Sequence, residues 1–317
     1  MQHGVRARFP FSRLRLAAHA VLLVGLFGLF GLGCRRDAGA PAGSAASGSA
    51  ATGSAPARSG PAPAPAGHRV VSLSPSATEV VAALGATAML VGVDDYSAFP
   101  AEVEKLPRVG SYLTPNLEII VALRPTLVIV DDVHGQTAGA LGDAGIATAA
   151  CAIHALPDVK AALRTVGARI GKSDDAERVV AAIDAALDRA AAERPAKRPR
   201  VLAVIDREAN GLGNLVTAGP GSWVDELLAV VGGDNVLSAA GNRYPKVSAE
   251  EVLRTRPDVI LDLSYAARQG IAAWDHLDVP AVAAHRVRAL DDAYLIAPSP
   301  RVAEALAALA RAIRTNP

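Results

Sequence analysis

Cysteine, methionine and aromatic side chains are scarce in this chain of 317 residues: two Cys, two Met, and aromatics at 4%. Two cysteines, Cys34 and Cys151, cannot build a disulfide framework. No charge of either sign is in excess, since 32 Lys and Arg stand against 31 Asp and Glu for a formal net charge of +1. A polyanion partner ordinarily leaves a basic excess, so nucleic acid is excluded. Catalytic spacing is missing as well. GARIGKS (167–173) leaves three residues, not four, between its first glycine and the Gly-Lys pair of a phosphate loop. GPGSWVD (219–225) lacks the second glycine of a nucleophile elbow. GLG (211–213) lacks the third glycine of a dinucleotide fingerprint. His134, His154, His276 and His285 are scattered without short ligand spacing, so no metal site and no catalytic residue is assigned.

What is present is apolar and ordered in blocks. About half the residues, 51%, are hydrophobic, enough for a sizeable core in two domains of ordinary size. Arg6, Arg8, Arg13 and Arg15 precede the apolar run LAAHAVLLVGLFGLFGLG, which stops at Cys34. Residues 1–33 therefore read as a signal peptide. A cysteine directly after small and apolar residues predicts lipidation of Cys34, although Gly31 stands where leucine is usual and Leu32 comes one place late. An uncleaved anchor, or cleavage near Gly33 or Ala40, are the alternatives; all three export the rest. Residues 34–67, rich in Gly, Ser, Ala and Pro, read as a disordered tether.

From His68 the pattern changes to strands alternating with helices, which predicts mostly parallel sheets covered on both faces. RVVSL (69–73), MLVGVD (89–94), TLVIVD (126–131) and IATAA (146–150) read as strands, with helices over 76–85 and 116–123. The second half repeats the plan with strands at 200–206 and 258–263 and helices at 222–232 and 249–255. TEVVAALG (78–85) superimposes without a gap on DELLAVVG (225–232), placing Glu79 on Glu226. NLEIIVALRP likewise superimposes on SAEEVLRTRP, placing Glu118 on Glu250, Arg124 on Arg256 and Pro125 on Pro257. Between the halves, Val179, Ile183, Ala186 or Leu187, and Ala190 line one face of a helix ending before Pro195. A helix of about 20 residues spans roughly 30 Å, long enough to be a stiff strut that permits only small opening motions. The expected organisation is a first α/β lobe over 68–172, a connecting helix over 173–196 and a second α/β lobe over 197–317.

The segments RVVSLSPSATEVVAALGA, LVGVDDYSAFP, LPRVGSYLTPNLEIIVALRPTLVI and VSAEEVLRTRPDVIL resemble, in order and over 68–317, the helical-backbone (class III) solute-binding proteins of ABC importers. This group captures cobalamin, iron–siderophores and haem, and the wording here is most similar to the cobalamin-binding members. The resemblance implies two Rossmann-like lobes with parallel sheets, joined by one long helix around a ligand cleft. It also implies a monomer without enzymatic activity or cofactor, delivering its ligand to a dimeric permease. A ferric siderophore or haem is the alternative ligand, and a secreted α/β hydrolase the alternative of another class.

Aromatic rings in apparent loops form the candidate site. Tyr112 lies six residues before Glu118, and Tyr244 six before Glu250. Tyr96, Phe99 and Tyr294 fall in other loops, and open α/β sheets bind ligands in such loops. Rings supply flat apolar area at little rotamer cost. By resemblance the ligand contacts are Tyr96 to Phe99, Tyr112, the stretch 131–134 with Asp132 and His134, Arg207, Tyr244 and Tyr294, with tyrosine where tryptophan is frequent. His134 facing a metal centre, or Arg207 and Arg243 facing carboxylates, keep haem and siderophores open. An acidic residue in a helix's first turn is stabilised by the dipole, but that does not account for the same offset twice. By resemblance, Glu118 and Glu250 dock onto arginines of the two permease subunits.

Overall fold

The computed structural model describes residues 67–314. The expected signal peptide, Cys34 and nearly all of the tether lie outside the described residues. The first lobe runs β1 (Val70–Ser72), α1 (Pro75–Ala83), β2 (Leu90–Val93), α2 (Leu117–Ala122), β3 (Leu127–Val130), α3 (Gly135–Asp143), β4 (Thr148–Ala150) and α4 (Leu156–Arg169). Helix α5 (Ser173–Ala192) follows. The second lobe runs β5 (Arg200–Asp206), β6 (Leu215–Thr217), α6 (Trp223–Val231), β7 (Asp234–Asn235), β8 (Lys246–Val247), α7 (Ala249–Thr255), β9 (Val259–Asp262), α8 (Pro280–Ala283), β10 (Val287–Ala289), α9 (Ala293–Ile296) and α10 (Val302–Arg314).

The first sheet has the order β2-β1-β3-β4 and is parallel throughout. The second has the order β10-β9-β5-β6-β8, with β7 also on β5. The expectation of mostly parallel sheets holds, with an antiparallel outer part in this second sheet. β9, β10 and β7 run parallel to their neighbours, but β6 runs antiparallel to β5 and to β8. The short link from Asp206 to Leu215 carries no crossover helix, and without one a strand returns antiparallel.

Side chains alternate across the strands as the pleat requires. Leu127 and Ile129 of β3, like Val201 and Ala203 of β5, face one core that continues through α4, α5, α6 and α10. Val128 and Val130 face an outer core in the first lobe, Leu202 and Val204 an outer core in the second. The chain crosses between lobes once, through α5, which packs on α4 and α10. Its buried row is Ala176, Val180, Ile183 and Ala186, so Val180 rather than Val179 is the fully buried member.

Helices α2 and α7 are built alike. Asn116 and Ser248 cap them, accepting from the N–H of Ile119 at 3.1 Å and of Glu251 at 3.4 Å. Ile120 and Val252 enter the two outer cores, each worth roughly 1.5–3 kcal/mol of burial. Both helices stop on an arginine in the left-handed region, Arg124 at φ 47° and Arg256 at φ 45°, because the following proline disfavours the α conformation. The last carbonyls are taken by the arginine that opens each lobe's first strand. Arg69 donates to Leu123 O at 2.7 Å and Arg200 to Thr255 O at 2.6 Å, positions that coincide in the repeat.

Candidate functional site

Loops at the carboxyl edge of the first sheet carry most of the candidate residues. The loop after β2 is held by a buried polar chain: Ser72 to Thr78 at 2.5 Å, Thr78 to Ser97 at 2.7 Å, and Ser97 onto Asp94. Asp94 also accepts from the N–H of Tyr96 at 2.9 Å, while Arg108 donates to Asp94 O and Ser97 O. Burial pushes the Asp94 carboxyl up, against the opposing pull of Ser97. With its backbone pinned, the loop presents Tyr96 at 67% and Phe99 at 45% exposure.

Tyr112 sits in a tight loop after Gly110, whose φ is +99° and where a Cβ would meet Thr114 O at 2.6 Å. Burial first, then the nearby Asp131 carboxylate, pushes its phenol up to about 12. His134 supports this loop from inside the first lobe. It is 2% exposed, its Nδ1 accepts from Asp131 N–H at 2.9 Å, and its Nε2–H donates to Tyr112 O at 2.6 Å. Both ring nitrogens are spent, and Asp131 with His134 forms a capping box.

Asp132 is exposed and pairs with His154 Nε2 at 3.1 Å. Asp131, Asp132 and His154 together offer donor atoms within 4.8 Å of one another, the one such cluster found among the described residues. Burial, then Asp132, raises Asp131 to about 6, while Asp131 and His154 hold Asp132 below its usual range. His154 enters from the loop after β4, a contact that only the strand order predicts.

In the second lobe Arg207 is likewise drawn inward. Its side chain is fully buried against Asp262 at 2.7 Å and donates further to the carbonyls of Glu208, Gly211 and Gly270. Asp262 additionally accepts from Trp274 Nε1 at 2.9 Å and Ser264 Oγ at 2.6 Å. A buried ion pair holds only when its remaining hydrogen bonds are met, and here the guanidinium makes four of the five it can donate, so Arg207 ties the loops of this lobe together. Tyr244 is 44% exposed. Its loop is fixed by Thr217 and Gly219, whose N–H groups donate to Pro245 O and Arg243 O. The repeat does not extend to these loops: Pro115 bridges back to Gly110 in its own loop, whereas Val247 pairs with Leu215 in a strand. Unread in the sequence was Tyr265, 71% exposed in the loop after β9, with the Arg268 guanidinium 5.2 Å from its ring centre. Carrying the repeat past β3 and β9 would have found it, opposite Val133.

The two lobes meet on Arg301, another residue the sequence reading missed. Its guanidinium lies 4.1 Å from the Phe99 ring and 4.5 Å from the Tyr294 ring, one from each lobe. It also grips Glu79 through two hydrogen bonds of 2.8 and 2.9 Å. From the other side, Glu226 accepts the N–H of Leu156 at the start of α4, at 2.6 Å. A cavity of about 820 Å³ beside this clasp is floored by Ala83, Leu90 and Leu106, and of the predicted ligand contacts only Phe99 lines it. Glu118 and Glu250 are both exposed. The Ser248 hydroxyl, then the helix backbone, hold the Glu250 carboxyl below its ordinary value, so it stays ionised.

Comparison with known proteins places these features in context. A family model described as periplasmic binding protein matches residues 70–294. A vitamin B12-binding protein of Salmonella typhimurium is 32% identical over 203 residues, 62% of this chain and 72% of that protein. One from Vibrio cholerae serotype O1 is 26% identical over 243 residues, 75% of this chain and 86% of that protein. Among solved structures, the periplasmic heme-binding protein RhuT from Roseiflexus sp. RS-1 in apo form matches with TM-score 0.69 and 32% identity, over 78% of this chain and 98% of that one. The periplasmic vitamin B12-binding protein BtuF of Vibrio cholerae matches with TM-score 0.62 and 25% identity, over 78% and 96%.

Proposed function

This chain belongs to the periplasmic binding protein family, and from that premise we propose that it captures cobalamin or a related corrinoid for an ABC importer. The coarser role, a periplasmic substrate-binding component serving a permease, comes with the family. The ligand is the proposal. The observation that carries it is the fate of two of the three residues that kept metal chelates with anionic arms in play; the third, Arg243, is exposed. His134 has both nitrogens engaged inside the first lobe, and Arg207 is consumed by Asp262. What faces solvent around the carboxyl edges is mostly phenols, the Phe99 ring against Arg301, and the carboxylates of Asp95 and Asp132, with Arg243 as an exposed cation. That set suits a flat macrocycle fringed with neutral amide groups, which donate to carboxylates and stack on rings.

Haem is the second reading, favoured by the 32% identity to a heme-binding structure and by Tyr112 beside Asp131. Titrating the purified body with cyanocobalamin, haemin and a ferric siderophore separates them. Saturable cobalamin binding, weakened by Tyr112→Ala and Tyr244→Ala, is expected; tight haemin binding with no response to cobalamin overturns the corrinoid reading.

Delivery is proposed to run through Glu118 and Glu250, one exposed carboxylate on each lobe for a two-fold permease. The protein acts as a monomer tethered by acylation at Cys34. Labelling with a radioactive fatty acid tests the anchor: Cys34→Ala should abolish incorporation.

A further inference from the structure

Resting on the docking role proposed for Glu118 and Glu250, we infer that Val121 and Leu253 form the apolar half of two matched contacts with the same permease dimer. Each lies three residues after its glutamate, and residues so spaced are neighbours on a helix surface. Val121 is 45% and Leu253 38% exposed, and neither belongs to a core cluster. A single exposed aliphatic side chain is ordinary. Two in register beside two carboxylates in register are not required by the packing of either lobe, since Ile120 and Val252 already anchor the helices. The helices are also fixed at both ends, by Asn116 and Ser248 at the start and by Arg69 and Arg200 at the finish. A surface held this way loses little freedom on binding. The partner it fits presents a cation beside an apolar patch, once on each of two symmetric subunits.

The surroundings of the two contacts differ. On α2, Leu117 and Ile119 are exposed as well, at 36% and 39%. On α7 the counterpart of Ile119 is Glu251, which is paired with Arg254. The register therefore holds at Val121 and Leu253 and breaks at Ile119. That break supplies a control: if general surface hydrophobicity mattered, Ile119 would count as much as Val121.

The test measures binding of the full chain to its permease dimer in nanodiscs. Val121→Ser with Leu253→Ser should weaken binding about tenfold or more, as expected for losing the burial of one aliphatic side chain at each contact. Ile119→Ser should bind as the unmodified protein does, and all variants should melt at the same temperature. If the double serine variant binds normally while Glu118→Ala with Glu250→Ala does not, the inference fails and the docking reading stands. If the double alanine variant binds normally too, the docking reading fails and takes the inference with it. Equal losses for Ile119→Ser and Val121→Ser also overturn the inference.

Discussion

Glu79 and Glu226 coincide in the repeat as neatly as Glu118 and Glu250 do, yet the two pairs face opposite ways. The first pair reaches across the molecule, Glu79 to Arg301 and Glu226 to the N–H of Leu156. The second pair touches neither the other lobe nor the shared core. The same acidic residue at matched positions thus serves cohesion on α1 and α6 and display on α2 and α7. What separates them is the layer: α1 and α6 lie against the core the lobes share, whereas α2 and α7 cover the outer cores. Sequence symmetry fixes where a side chain sits on its lobe, and the layer it belongs to fixes what it meets.

The widest gap between the pairs should appear in stability. Arg301→Ala leaves Glu79 mostly buried without its partner, with side-chain exposures of 20% for Arg301 and 10% for Glu79. Removing one member of a buried pair costs about 3–5 kcal/mol, and the residual exposure brings the expected loss to about 3 kcal/mol in urea unfolding. A loss below about 1 kcal/mol would mean that the clasp is ornamental. Glu226→Ala removes one charge-assisted hydrogen bond to backbone and should cost less, about 1–2 kcal/mol by the same measurement.

The fold was legible where each element carried its own signal. The strands are short buried runs bounded by turns, and α5 has a clear apolar face. β6 and β8 span only three and two residues and have no periodicity of their own, so the direction of the second sheet's outer strands was hidden. α3 has Leu141 as its one buried residue and several glycines, and is a helix by context. In the site, exposed rings were readable because loops after strands hold them. The burial of Arg207 was hidden because its partner, Asp262, is 55 residues away, and burial of that kind arises only from tertiary convergence. His134 is engaged locally, by Asp131 three residues before it, in a capping arrangement where histidine stands in place of the Glu or Gln of the usual signature.

Inside the first lobe the contrast between inward and outward carboxylates recurs within two residues. Asp131 is buried and Asp132 exposed, and their pKa values are pushed apart. The folded state keeps the Asp131 proton up to about pH 6, whereas the unfolded chain releases it near 3.8. Between about pH 4 and 6 the folded state therefore binds more protons, and stability falls as pH rises. Asp131→Asn should flatten that part of the profile by about 1 kcal/mol after allowance for solvent screening, read as melting temperature against pH. An unchanged slope would place the proton elsewhere. The lowered Asp132 works in the opposite sense, losing its contribution only as pH falls below that window.

The smallest effect on stability is expected from the outward pair, and it sharpens the comparison most. Glu118→Ala with Glu250→Ala removes two exposed carboxylates whose helices are already capped by Asn116 and Ser248. Surface changes of this kind stay within about 0.5 kcal/mol, and the favourable dipole interaction lost at each site is of similar size or smaller at ordinary salt. Ligand affinity should not move, because neither residue touches the carboxyl-edge loops. Uptake into proteoliposomes bearing the permease should nevertheless fall to background. A variant that is as stable as the unmodified protein, binds ligand equally well and still fails to deliver it would separate display from cohesion. A variant that transports normally would leave the second pair of glutamates with no role beyond their helices.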